Sequence, residues 1–159
     1  MQQDITPGTV KKVLLVDDNE DILFIGKIYL ERSERFIVDI AVSAVEGYHL
    51  MQQQPYDIIV SDYDMPEIDG ISFLNHIRRE GYNIPFIICS SKERGEIKTC
   101  TSNRYSYIQK NGNPIRQYSE LSEMILKSLP DSSGMHTDQT MASYSDCLRK
   151  DGITTGIHE

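Results

Sequence analysis

The chain has 159 residues, 39% hydrophobic and 25% charged, the size and composition of one globular domain with flanking sequence. Its formal net charge of −8 argues against broad nucleic-acid binding, which needs a basic face. No apolar run approaches the roughly 20 residues that span a bilayer, and the N-terminal MQQDITPGTVKK has no signal-peptide core. Cys89, Cys100 and Cys147 are odd in number and lack CxxC spacing, so we expect neither a disulfide framework nor a zinc site, and a reducing cytoplasm is the default compartment. The histidines are scattered; His76 is placed on a helix facing solvent or the domain flank, and none is read as a metal ligand.

In chain order, residues 1–9 form a leader and VLLV (13–16) a first short apolar run, ending in Asp17-Asp18. From Glu20 to Glu31, Ile22, Ile25, Tyr29 and Leu30 recur at helical spacing behind an acidic first turn. FIVDIAV (36–42) alternates as a strand, and Ser43-Ala44-Val45-Glu46 reads as a capping box opening a helix to about Gln53. DIIVSD (57–62) is the next strand; Ile71, Leu74 and Ile77 mark a helix stopped near Gly81. PFIICSS (85–91) and YSYIQK (105–110) are the last two strands. Between them, residues 92–104 should hold a helix, brief or partly irregular, because Ile97 is its one strong apolar anchor. Asn113-Pro114 caps a final helix that runs through Leu121 and Ile125 to Leu129, where Pro130 ends it.

Short continuous apolar runs alternating with helices predict an α/β fold, a doubly wound parallel sheet with helices on both faces and its ligand site beyond the carboxyl ends of the strands. The domain is expected over residues 10–129. Residues 130–159 are polar and aperiodic, read as a tail or a linker to a further domain, with a short helix near residues 141–150.

The predicted carboxyl rim gathers Asp17, Asp18, Asp62, Ser90 and Lys110. Taken singly, an Asp pair is a turn, a strand-end Ser a helix cap and a Lys a solvated charge. Together they carry more, because crowded carboxylates repel unless a cation lies among them. Asp17, Asp18 and Asp62 offer the hard oxygen ligands that Mg²⁺ prefers. With Ser90 and Lys110 they form a cradle for an anionic phosphoryl group, with Asp62 as the nucleophile that forms an acyl phosphate.

LLVDD (14–18), IIVSDYDMPEIDG (58–70), PFIICSS (85–91) and YIQK (107–110) resemble the receiver domains (CheY-like) of two-component response regulators. The resemblance implies a (βα)5 flavodoxin-like three-layer sandwich with a five-stranded parallel sheet of order 2-1-3-4-5. It implies a phosphorylation-dependent signalling switch rather than a turnover enzyme. Asp62 would accept the phosphoryl group from the phosphohistidine of a sensor histidine kinase or of its phosphohistidine domain. Asp17, Asp18, Asp62 and the backbone carbonyl of Asp64 would hold Mg²⁺. Ser90 and Lys110 would bind the phosphoryl group, and Ser90 and Tyr107 would form the switch. Pro66 and Gly70 would shape the loop after the acceptor, and Asp69 would cap the third helix. An output domain, linked or separate, and a second copy of the chain are further partners the family admits; nucleic acid and membrane are not expected.

Asn111 stands where the family usually has a proline, so the loop KNGNP must be built differently and the reach of Lys110 is in question. The stretch from Ser90 to Lys110 is also slightly short. QKNGNPIRQYSEL (109–121) is similar to receivers of archaeal, especially methanogen, signalling proteins, in which a receiver often precedes sensory and kinase domains. Two rival readings share the acidic motif. One is a degenerate receiver used only for docking. The other is a haloacid-dehalogenase-type phosphatase, against which the order of motifs counts, since Asp17-Asp18 precede Asp62.

Overall fold

Each central strand alternates two sets of apolar side chains, and the fold separates them onto opposite faces of one sheet. A computed structural model describes residues 8–97, 101 and 103–130. The expected tail beyond Pro130, with its short helix, lies outside the described residues, as do residues 1–7, Cys100 and Cys147. Five parallel strands, β1 (Lys11–Val16), β2 (Phe36–Ala41), β3 (Ile58–Asp62), β4 (Phe86–Ser90) and β5 (Ser106–Gln109), lie in the order β2-β1-β3-β4-β5. This is the doubly wound order the resemblance implies. The helices α1 (Glu20–Glu31), α2 (Ala44–Gln53), α3 (Gly70–Arg79) and α4 (Pro114–Ser128) cover both faces.

One core packs Leu14 and Val16 of β1, Ile59 of β3 and Ile88 of β4 against α2 and α3 through Met51, Phe73, Leu74 and Ile77. The other packs Val13, Leu15, Ile58, Val60 and Ile87 against α1 and α4 through Leu23, Leu30, Leu121 and Ile125. The three inner strands are therefore buried on both sides, which is why they read as unbroken apolar runs. The edge strand β2 alternates instead, with Ile37 half exposed between buried Phe36 and Val38.

Local signals set the helix starts. Asn19 accepts from the Asp21 and Ile22 amides, Asp69 from Ser72 and Asn113 from Arg116, where Pro114 occupies the first helical position. At α2 the Ser43 side chain accepts from the Glu46 amide as expected, but Glu46 reaches the Val42 amide rather than that of Ser43. Between β4 and β5 the described residues hold one 3-10 turn, Arg94–Glu96, followed by buried Ile97. With a single apolar anchor, this polar segment has no stripe to bury, and among its described residues the expected helix amounts to that one turn.

Opposite that weak connection, α1 and α4 are knitted tightly. The Tyr118 hydroxyl donates to the Ile22 carbonyl (3.0 Å), and its ring lies 5.7 Å from that of Tyr29. Gly26 makes the approach possible, since a Cβ there would come within 2.9 Å of both the Leu15 and the Tyr118 side chains. Alanine favours a helix by about 1 kcal/mol over glycine, whereas overpacking a core costs about 1–3 kcal/mol. We expect Gly26→Ala to lower stability by about 1 kcal/mol in thermal or urea unfolding. A rise in melting temperature would mean that Tyr118 gives way freely.

Candidate functional site

Parallel strands joined by right-handed crossovers all end on one rim, and the polar residues of the sequence motifs collect there. Asp17 and Asp18 follow β1, Asp62 ends β3, Ser90 ends β4, and Lys110 follows β5. The carboxylates of Asp17, Asp18 and Asp62 present oxygens within 4.8 Å of one another. Asp17 and Asp62 are buried, at 5% and 8% exposure, whereas Asp18 faces solvent. The Lys110 ammonium lies 2.9 Å from Asp62 Oδ1 and 3.1 Å from Asp17 Oδ2. The other Asp17 oxygen accepts from the Asn19 amide at 2.9 Å, which orients the carboxylate and leads the chain into α1.

The electrostatics follow from burial. Loss of water around Asp62 pushes its carboxyl up to about 6; Lys110 pulls it down, and the neighbouring charges of Asp17 and Asp18 push it up again. Lys110 is raised above the ordinary lysine range: burial lowers it, but the bonds and charges of Asp62 and Asp17 outweigh that. Cys89, fully enclosed next to this cluster, is pushed up to about 12 by burial and is a packed thiol rather than a nucleophile. One ammonium thus meets two of the three clustered carboxylates, which leaves an excess of hard anionic oxygens that suits a small divalent cation. His76 is far from this role; it stands in α3 with its ring edge-on to Tyr48 at 4.8 Å.

The loop KNGNP does not pull Lys110 away. Its amide donates to the Ser90 carbonyl (2.8 Å), prolonging the β4–β5 ladder by one residue. Asn111 accepts from the Asn113 amide, and Gly112 takes the left-handed conformation (φ 76°), which turns the chain into α4 without a cis peptide bond. After β3, Gly70 is held against the site: a Cβ there would lie 2.5 Å from the Asp62 carbonyl oxygen. Its amide donates to the Tyr63 carbonyl, and Ile68 donates to the Pro66 carbonyl around Glu67, whose φ is +68°.

One residue escaped the sequence reading. Lys92 donates its amide to Ser90 Oγ (3.1 Å), its carbonyl accepts from the Tyr107 hydroxyl, and its ammonium pairs with Asp64 at 2.8 Å over the ring of Tyr63. Ser90 and Asp64, both expected at the site, and Tyr107, half-buried on β5, are therefore joined through this single side chain and its peptide groups. Its only advance signal was its position two residues after the strand-end serine.

Residues 13–125 match the family model described as the response regulator receiver domain. The response regulator SaeR of Staphylococcus aureus (strain USA300) is 33% identical over 104 residues, 64% of this chain and 45% of that protein. The response regulator GtcR of Aneurinibacillus migulanus is 32% identical over 88 residues, 55% of this chain and 36% of that protein. The chain thus spans less than half the length of these two relatives. Among solved structures, the response regulator protein TrrA of Thermotoga maritima, in complex with Mg²⁺-BeF, superposes with a TM-score of 0.63 at 26% identity, covering 75% of this chain and 99% of that one. The chemotaxis protein CheY4 of Vibrio cholerae shares the fold, with a TM-score of 0.66 at 22% identity over 76% of this chain and 100% of that one. With its strand order, its acidic cluster and the matched sequence, this chain belongs to the response regulator receiver domain family, the phosphorylation-dependent switch domains of two-component signalling.

Proposed function

We propose that Asp62 is the phosphoryl acceptor of this receiver and that Asp17, Asp18, Asp62 and the Asp64 carbonyl hold a magnesium ion beside it. The observation that carries this reading is the Lys110 ammonium, 2.9 Å from Asp62 and 3.1 Å from Asp17 inside a cluster of three carboxylates. That reach, kept despite Asn111, favours a working acceptor over a docking-only module. When bound, the magnesium ion offsets the carboxylate charge and withdraws electron density from the phosphoryl oxygens. Asp62 attacks phosphorus with a carboxylate oxygen; the N–P bond of a phosphohistidine breaks, and its imidazole leaves. Lys110 exchanges Asp62 for a phosphoryl oxygen, and the Ser90 hydroxyl, now an acceptor from the Lys92 amide, turns to donate to another.

The switch follows from Lys92. Its amide is held by Ser90 and its carbonyl by Tyr107, so movement of the serine hydroxyl toward the phosphoryl group loosens both bonds. Tyr107 is released to move, and the surface of the β4–β5 connection changes with it. This is a local charge change biasing a two-state element. The phosphoryl donor in this reading is a sensor histidine kinase or its phosphohistidine domain, and the domain works in the cytoplasm. Phe24, Ile25 and Ile28 on α1 and Ile115 on α4 are all at least half exposed and give that partner an apolar surface. An output domain, linked or separate, is the second partner.

Incubation with Mg²⁺ and acetyl phosphate should add one phosphoryl unit to the intact mass of the wild type and none to Asp62→Asn. Equal uptake by the variant would remove the assignment.

Magnesium itself should stabilise the fold by about 2.7 kcal/mol at a hundredfold excess over its dissociation constant, read as a rise in melting temperature. Asp18→Ala should lose most of that rise. An undiminished rise in this variant would place the ion elsewhere.

Without divalent metal the same site makes stability pH-dependent. Asp62 sits near 6 in the folded protein against 3.8 ordinarily, so the native state holds the extra proton between those values. Its contribution is complete below the unfolded value and is lost as pH rises through about 6. Asp62→Asn should therefore be more stable than wild type at pH 7.5 in chelator, by roughly 1–3 kcal/mol. The gain should shrink towards pH 4. Calorimetry at both pH values decides this, and a gain that grew on acidification would mean that Asp62 is held by Lys110 as a depressed, stabilising carboxylate.

A further inference from the structure

At the end of the sheet opposite the phosphorylation site lies a groove of about 960 Å³, walled by the starts of β4 and β5, the last turns of α3 and α4, and the side chains of Arg94 and Arg104. Arg78, Arg94, Arg104 and Lys127 line it, and among the described residues no Asp or Glu does, in a chain where acidic residues outnumber Lys and Arg by 24 to 16. Elsewhere on the surface some cations are neutralised, as Lys27 is by Glu31, Lys92 by Asp64 and Arg116 by Glu120, and the unpaired ones, such as Arg32, Arg35 and Arg79, do not line this groove. Among the described residues, Arg94, Arg104 and Lys127 make no ion pair, and all three are exposed. Arg78 is anchored differently. Its guanidinium donates to the Tyr82 and Ile84 carbonyls at 2.8 and 2.6 Å, so its charge is fixed at the groove wall.

We propose that this groove is a docking site for an acidic peptide segment of a partner protein. Unpaired cations on a groove whose described lining holds no carboxylate attract an anionic ligand. Half-buried Tyr105 and Met124 between them supply an apolar contact that a peptide side chain fills and a phosphate backbone does not. The net charge of −8 disfavours a polyanion that extends beyond the groove, whereas a short segment stays inside it. The surface is remote from Asp62, so a peptide there leaves the acceptor accessible. The proposal stands independently of the assignment of Asp62.

The test is fluorescence anisotropy with a labelled peptide of repeating Glu-Glu-Leu, the matched Gln-Gln-Leu peptide and a labelled single-stranded oligonucleotide. The full chain should bind the Glu peptide at low salt, with affinity that falls as salt rises, and bind the Gln peptide at least about tenfold more weakly. The double variant Arg104→Glu, Lys127→Glu should lose about tenfold or more in affinity for the Glu peptide. Circular dichroism and acetyl-phosphate uptake in parallel show that its fold and its acceptor survive. Single substitutions Arg104→Gln and Lys127→Gln should each cause part of the loss and serve if the double variant does not fold. Equal binding of Glu and Gln peptides, unchanged binding by the folded variants, no binding of the Glu peptide, or tighter binding of the oligonucleotide would each overturn the proposal.

Discussion

Everything at the functional rim turns on one ammonium group. Among the described residues Lys110 is the sole cation in contact with Asp17 and Asp62, and both of those carboxylates are largely out of water. Burying a carboxylate is costly unless it is paired, so loss of Lys110 would leave two buried carboxylates uncompensated, whereas loss of Asp62 leaves Lys110 still paired with Asp17. The sheet order brings the three groups together: β1 and β3 are neighbours, β4 comes next, and β5 lies beyond it, so Lys110 must cross the end of β4 to reach them. One ammonium does not neutralise three acids, and the residual negative charge leaves the rim prepared for a cation and poor in counter-charge without it.

The loop after β5 shows how a departure from a family pattern is absorbed. The proline usual after the lysine constrains the backbone; Asn111 does not. Here the constraint is spread over four residues. The Asn111 side chain closes an Asx turn, Gly112 supplies the left-handed conformation, Asn113 caps the helix and Pro114 fixes its first turn. The Lys110 amide meanwhile remains in the β-ladder through Ser90. The position of the ammonium thus rests on the ladder and the cap together, which is why it survives the exchange.

The parts legible in the sequence were those governed by local or periodic rules. Continuous runs such as Val13–Val16 announced strands buried on both faces. Asn113-Pro114 announced a helix start, and the acids at strand ends announced a shared rim. Three features had no such signature. Gly26 looks like a weak point in a helix until Tyr118, 92 positions later in sequence, is seen lying over it. The segment after Ser90 carries too few apolar residues for periodicity to distinguish a short helix from a single 3-10 turn. Lys92 reads as a solvated lysine because its partners, Asp64 and Tyr107, come from two other strands or their ends. Contacts made only in three dimensions, between elements distant in sequence, leave no period to read.

The two sides of the domain are unequal in stiffness, and this gives a direction to any change at Asp62. On the α1–α4 side, Tyr118 bonds the Ile22 carbonyl, stacks near Tyr29 and fills the space over Gly26, an interface with little room to yield. On the other side, the β4–β5 connection has among its described residues one 3-10 turn, one buried anchor at Ile97 and a few polar bonds centred on Lys92. Segments with few apolar contacts open at the lowest free energy. A charge placed on Asp62 in the proposed reading acts on both sides at once, through Asp17 towards α1 and through Ser90 towards Lys92. In that reading the α1 side resists and the displacement falls at Lys92 and Tyr107. The asymmetry of packing, rather than any special property of the aspartate, would then select which surface responds.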